Sequence, residues 1–216
     1  MLRGGSLRGY LIIIPAVLIC LTFHEAAHGL AAYWLGDDTA KRSGRLTLNP
    51  LDHLDPIGTL CMVFFGFGWA KPVPVNTSRF KNRKVGMALT ALAGPMANFL
   101  LSILLILAAV LLEVYAGGSR FVMALAQFFV QTGQLSVSLG VFNLLPIPPL
   151  DGSRVLQVVL PDSLYYKFYN YQAYFQIALI LLLFLGAFNN ILYTLQASMT
   201  GVILRVVSAL LGLFGI

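Results

Sequence analysis

The stretch LIIIPAVLICLTFHEAAHGLAAYWL, residues 11–35, decides how the rest of the chain is read. Its length matches the roughly 20 apolar residues that cross a bilayer as a helix. Three ionisable residues nevertheless lie inside it: His24, Glu25 and His28. A charge at mid-membrane costs roughly 2.5–3.5 kcal/mol on insertion scales, so residues of this kind mark a site by default. His24 and His28 are four positions apart, so a helix projects both imidazoles from one face, where they can grip one metal ion. Glu25 neighbours the first of them and cannot easily complete that coordination. It is placed instead to take a proton from an attacking water. The pattern is His-Glu-x-x-His, a metal-hydrolase motif written in a membrane helix.

Composition agrees with a membrane setting. Of 216 residues, 58% are hydrophobic and only 10% charged, against about a quarter charged in soluble domains. A single integral-membrane domain over 1–216 is expected. Arg3 and Arg8 precede an apolar run longer than a signal-peptide core, so a retained first span is expected rather than a cleaved leader. The net charge of +6 does not point to nucleic acid. Eight of the 14 basic residues (Lys41, Arg42, Arg45, Lys71, Arg79, Lys81, Arg83 and Lys84) fall between the first two spans, as a cytoplasmic loop on anionic lipid would have it. Cys20 and Cys61 lie in apolar runs and read as packing thiols rather than a disulfide.

Outward from the motif, Gly36 offers a C-cap and Asp37-Asp38 mark an exit to water. His28 is then roughly 12 Å below that end at 1.5 Å per residue, inside the membrane and toward the cytoplasm. Residues 40–49 alternate weakly, which suggests a short strand. His53, in LDHLDPIG (51–58), rivals other residues for a third ligand position, but its acidic neighbours suggest a solvated loop. The apolar run 57–70, rich in Gly and aromatics, is too short to span, and Pro72 and Pro74 follow it, so 57–76 reads as a re-entrant or interfacial β-hairpin. An exposed strand there offers pairing to an extended substrate segment.

Further spans are expected at about 85–112, 121–145 and 173–188, with 191–216 either a last span or an amphipathic helix. With the first at 9–35, this is an all-α polytopic bundle of about four or five transmembrane helices. Gly94 and Pro95 read as a packing motif, and Asn98 as either an interhelical hydrogen bond or a functional group. The third span carries Gln127, Gln131, Thr132, Gln134, Ser136 and Ser138, a polar face expected to look into the bundle or a cavity. It ends in NLLPIPPLDG (143–152), where three prolines break the helix and Asp151 is the carboxylate able to meet both histidines. A turn-permitting Gly152 follows it.

The segments HEAAH (24–28), AGPMAN (93–98) and NLLPIPPLDG (143–152) resemble those of the site-2 protease family of intramembrane zinc metalloproteases. HLDPIGT (53–59) and GWAKPVPVN (68–76) are similar to its minimal bacterial and archaeal members, and the likeness covers about residues 9–195. The sequence holds no PDZ-like or CBS-like segment. The resemblance implies one Zn2+ per chain held by His24, His28 and Asp151, Glu25 as catalytic base, and Asn143 as a polar group near the reacting carbonyl. It implies a transmembrane or membrane-associated protein substrate and a multi-pass protein of the cell membrane, with its active site toward the cytoplasm. The contrasting reading is a metal-binding membrane protein without hydrolase activity, a transporter or degenerate regulator. The retained Glu25, and the lack of paired halves, weigh against it.

Overall fold

The motif helix forms as its apolar run requires: α1 spans Leu7–Trp34 and carries His24, Glu25 and His28 in its second half. The computed structural model describes residues 7–58, 70–213 and 215. Cys61 and most of the segment 57–76 therefore fall outside the described residues. α1 ends at Gly36, whose φ of 102° is a left-handed helix stop. The chain then makes two short helices, α2 (Thr39–Arg42) and α3 (Pro50–His53). The strand expected over 40–49 is not formed. Ala40 is fully buried, and its Cβ and Leu46 Cδ1 lie close to Gly29 of α1, so a helical turn packs where alternation suggested a strand.

Among the described residues there is no sheet. An isolated antiparallel bridge joins Leu54 to Ala70, and the Lys71 N–H donates to the His53 carbonyl at 2.9 Å. Lys71–Asn76 has no regular secondary structure and leads through a 3-10 turn, Thr77–Arg79, to the longest helix.

That helix, α4 (Arg83–Ala116), starts where the Asn82 side chain accepts the Val85 N–H. At 34 residues it is about 51 Å long, more than the roughly 30 Å of bilayer hydrocarbon. It is the hub of the bundle, packing on α1, α5 (Arg120–Asn143), α6 (Asp151–Val159) and α9 (Asn189–Leu213). Phe99 and Ile106 of α4 meet Val137 and Val141 of α5 and Ile203 and Val207 of α9 in one buried apolar cluster. Between α6 and α9 lie α7 (Asp162–Asn170) and α8 (Gln172–Phe184).

Four of these helices, over Ile12–Trp34, Arg83–Ala116, Arg120–Asn143 and Asn189–Leu213, are long and apolar enough to cross a membrane. The protein is thus a multi-pass membrane protein. The apolar run 173–188 forms only the 13-residue α8, about 20 Å long and shorter than a full crossing. The run after 191, left between two readings by sequence, makes a 25-residue helix of spanning length.

The polar residues of α5 divide between two faces. Thr132 and Ser136, one turn apart, are fully buried, whereas Gln127, Gln131 and Gln134 are exposed along another face. Polarity alone did not separate them, because 3.6-residue periodicity assigns them to different sides.

Candidate metal centre

The two histidines of α1 do what their spacing requires. Their Nε2 atoms lie 3.0 Å apart. From α6, Asp151 brings Oδ2 to 3.0 Å from His24 Nε2 and 3.2 Å from His28 Nε2. Both histidines are buried, at 4% and 8% exposure. His24, His28 and Asp151 are a group whose ligand atoms all lie within 4.8 Å of one another.

Asp151 reaches that position because the chain breaks after α5 at its prolines and restarts as α6 with Asp151 in the first turn. Gly152 follows for a reason other than a turn. Its φ is not positive, but a Cβ there would collide with the carbonyl oxygen of Leu144. Close approach, not backbone freedom, makes it glycine.

The donor set fits a metal ion on two counts. His28 Nδ1 is 2.7 Å from the Thr90 carbonyl, which can only accept, so the ring proton is on Nδ1 and Nε2 presents a lone pair. A lone pair beside another imidazole and a carboxylate is suited to hold a cation. The second count comes from α4. A Cβ at Gly94 would stand 2.5 Å from His28 Nε2 and 2.6 Å from His24 Cε1, so the helix leaves the space beside the two rings open. Two imidazoles and one carboxylate are the protein ligands of a catalytic zinc site, which keeps a fourth position for water.

α4 supplies more of this site than its sequence suggested. Thr90, Gly94 and Asn98 recur every four residues, so they form one stripe along the helix. The stripe runs antiparallel to α1: Thr90 meets His28, Gly94 meets both rings, and the Asn98 side chain lies 3.2 Å from His24 Nδ1. Gly94 was expected only to pack helices. The signal that finds it is this i, i+4, i+8 register with the motif helix.

Glu25 does not join the cluster. Its Oε2 accepts the Val73 N–H at 3.0 Å, tying the irregular segment to the motif helix. Both border one cavity of about 700 Å3, which also reaches His24, His28, Asp151, Val75 and Asn143. Asn143 donates its amide to the Leu139 carbonyl at 3.0 Å, one turn back on α5. Arg154, one turn beyond Asp151, borders the same cavity and touches Met87 Sδ at 3.8 Å.

His53 stands apart from the cluster, as expected, but not because it is solvated. It is 1% exposed, with Nε2 at 2.9 Å from the Thr47 carbonyl. The acidic residues beside it misled, since side chains of neighbouring positions point different ways. Asp37, expected at an exit to water, is likewise fully buried. It accepts hydrogen bonds from Thr39 N (3.1 Å), Thr39 Oγ1 (2.5 Å) and Asn76 N (2.6 Å). Burial pushes its pKa up, but the Thr39 and Asn76 donors and the Arg79 charge outweigh that and hold the carboxyl below its ordinary value.

Comparison with known proteins agrees with this chemistry. The Bacillus subtilis protein YwhC, named as a zinc metalloprotease, is 39% identical over 207 residues, covering 95% of this chain and 94% of its own. Rip2 of Mycolicibacterium smegmatis, also named as a zinc metalloprotease, is 32% identical over 154 residues, 68% of this chain and 57% of that protein. Rip2 of Mycobacterium tuberculosis is 33% identical over 156 residues, with the same shares covered. No solved structure matches the chain. The model of peptidase family M50 matches residues 111–185, the part that contains the Asp151 segment but not the His-Glu-x-x-His helix. The near full-length likeness to YwhC joins those two parts in one protein, and the chain belongs to peptidase family M50, the site-2 zinc metalloproteases.

Proposed function

We propose that this zinc metalloprotease cleaves peptide bonds of transmembrane or membrane-associated segments at the cluster His24, His28 and Asp151. The observation that carries the proposal is the convergence of those three side chains inside the bundle, with Glu25 and the segment after Ala70 on the same cavity. Zinc supplies, when bound, a Lewis acid that activates water and polarises a carbonyl.

The remaining roles belong to the chain itself. His24 and His28 provide neutral imidazole nitrogens, and Asp151 the one negative charge of the ligand set. Glu25 is the base: its carboxylate borders the cavity without joining the ligands, and the Val73 N–H fixes its direction. Asn143 borders the cavity and is suited to accept or donate at the scissile peptide. The segment from Ala70 to Val75 borders it too, so its open backbone is suited to hold a substrate stretched out of helical form. A helical substrate has its carbonyls engaged and must unwind first, so helix-breaking residues near the cut favour cleavage. The basic loop supports a site toward the cytoplasmic side of the cell membrane.

The test separates binding from chemistry. Glu25→Gln in detergent-purified protein should retain one zinc per chain and lose at least about a hundredfold in turnover of a transmembrane substrate, the usual scale of a general base. Wild-type turnover in that variant would overturn the assignment of Glu25 as base.

A further inference from the structure

The two ligand histidines are supported differently, and the difference points to a residue whose role sequence left open. His28 has its outer nitrogen, Nδ1, against a backbone carbonyl, and so a fixed tautomer. His24 has its outer nitrogen against the side-chain amide of Asn98, 3.2 Å away through Nδ2. Asn98 is fully buried, and its Oδ1 has no hydrogen-bond partner. With Nδ2 toward the ring, His24 Nδ1 must accept, which puts the ring proton on Nε2. In that arrangement Nε2–H donates to Asp151. It also blocks the nitrogen that the metal requires.

A half-turn of the amide about its last bond exchanges two groups of nearly the same shape. Oδ1 then accepts Nδ1–H, and Nε2 turns its lone pair toward the ligand cluster. We propose that Asn98 is the positioning residue for His24: its Oδ1 accepts the Nδ1–H and sets the tautomer that lets Nε2 bind zinc. The proposal rests on the zinc site described above. It gives the two ligands matching supports from one helix, a main-chain carbonyl at Thr90 and a side-chain carbonyl two turns on. Ligating histidines generally donate their second ring N–H to such an acceptor, and losing it typically costs 10- to 100-fold in metal affinity. The Asn98 main chain is itself held, because its carbonyl accepts from Ser136 Oγ of α5 at 2.8 Å.

Zinc affinity tests this without reference to catalysis. Wild type, Asn98→Leu and Asn98→Asp are purified in detergent, checked for monodispersity and titrated with zinc against a chromophoric chelator. Leucine keeps the volume and removes the acceptor, so affinity should fall about 10- to 100-fold. Aspartate keeps an acceptor and cannot donate, so it should bind at least as tightly as wild type. Unchanged affinity in Asn98→Leu would reduce Asn98 to packing. Loss of affinity in a monodisperse Asn98→Asp would mean that the amide N–H is what His24 needs, and would overturn the proposal even if the leucine variant failed to fold. Absence of zinc binding by wild type would overturn the zinc site itself, a distinct result.

Discussion

At the level of single residues, the smallest side chain near the metal centre has the sharpest consequence. Replacing Gly94 by alanine should favour an isolated helix by about 0.5–1 kcal/mol. Here the added methyl would meet both histidine rings at 2.5–2.6 Å, and the stiff imidazoles must shift. Gly94→Ala is therefore expected to lower zinc affinity tenfold or more while leaving the helical content unchanged. Chelator titration together with circular dichroism checks this, and undiminished affinity would show that the rings tolerate a Cβ. The example marks what sequence carries about a site. The spacing of His24 and His28 is a property of one helix and was readable at once, as was a carboxylate at Asp151 freed by its prolines. That Thr90, Gly94 and Asn98 face those histidines depends on how α4 is registered against α1, which no local pattern encodes. The same limit hid the burial of His53 and Asp37, because a polar run does not say which of its members turn inward.

At the level of elements, the segment from Ala70 to Asn76 has neither helix nor sheet to satisfy its backbone, and beyond the bridge at Ala70 and Lys71 distant side chains contribute to it. The buried Arg45 donates to the Lys71 carbonyl at 2.6 Å, Glu25 accepts from Val73 N, and Asp37 accepts from Asn76 N. Asp37 lies just past the end of α1, so the motif helix and the segment are fixed to each other at both Glu25 and Asp37. Sequence suggested a hairpin here from Gly and Pro content. It could not suggest that charges in the basic loop were its supports. Because folding holds the Asp37 carboxyl below its ordinary value, the folded protein binds fewer protons there than the unfolded chain. The resulting stability is complete above about pH 4 and is lost as pH falls through the folded value. Asp37→Asn should therefore melt below wild type at pH 7, with the gap closing below about pH 4. Thermal unfolding followed across that range decides it, and a gap of constant size would detach the effect from the charge. Substrate turnover should fall in the same variant at pH 7, since the segment bordering the cavity loses an anchor.

At the level of the whole molecule, hydropathy located the membrane helices well because each span needs a long apolar run of its own. It judged 173–188 less well, since apolar content does not reveal that the helix ends at Phe184. The orientation proposed for the bundle rests on charge rather than on packing. α4 separates the basic stretch around Lys84 from the loop at Gly117 by its full 34 residues, so the two ends of α4 must lie on opposite sides of the bilayer. Lys84 also pairs with Asp162 at the start of α7, which puts α7 at the basic end of the bundle. Positive charge is retained in the cytoplasm, so Ser78, exposed beside that stretch, is expected inside and Ser119, at the start of α5, outside. The measurement is labelling of intact cells by a membrane-impermeant maleimide, with Cys20 and Cys61 first changed to alanine. Ser119→Cys should react at once, and Ser78→Cys only after the membrane is permeabilised. The opposite pattern would invert the bundle and move the metal centre to the outer half of the membrane, because the distance from Asp37 down α1 to His28 is the same whichever side the loop occupies.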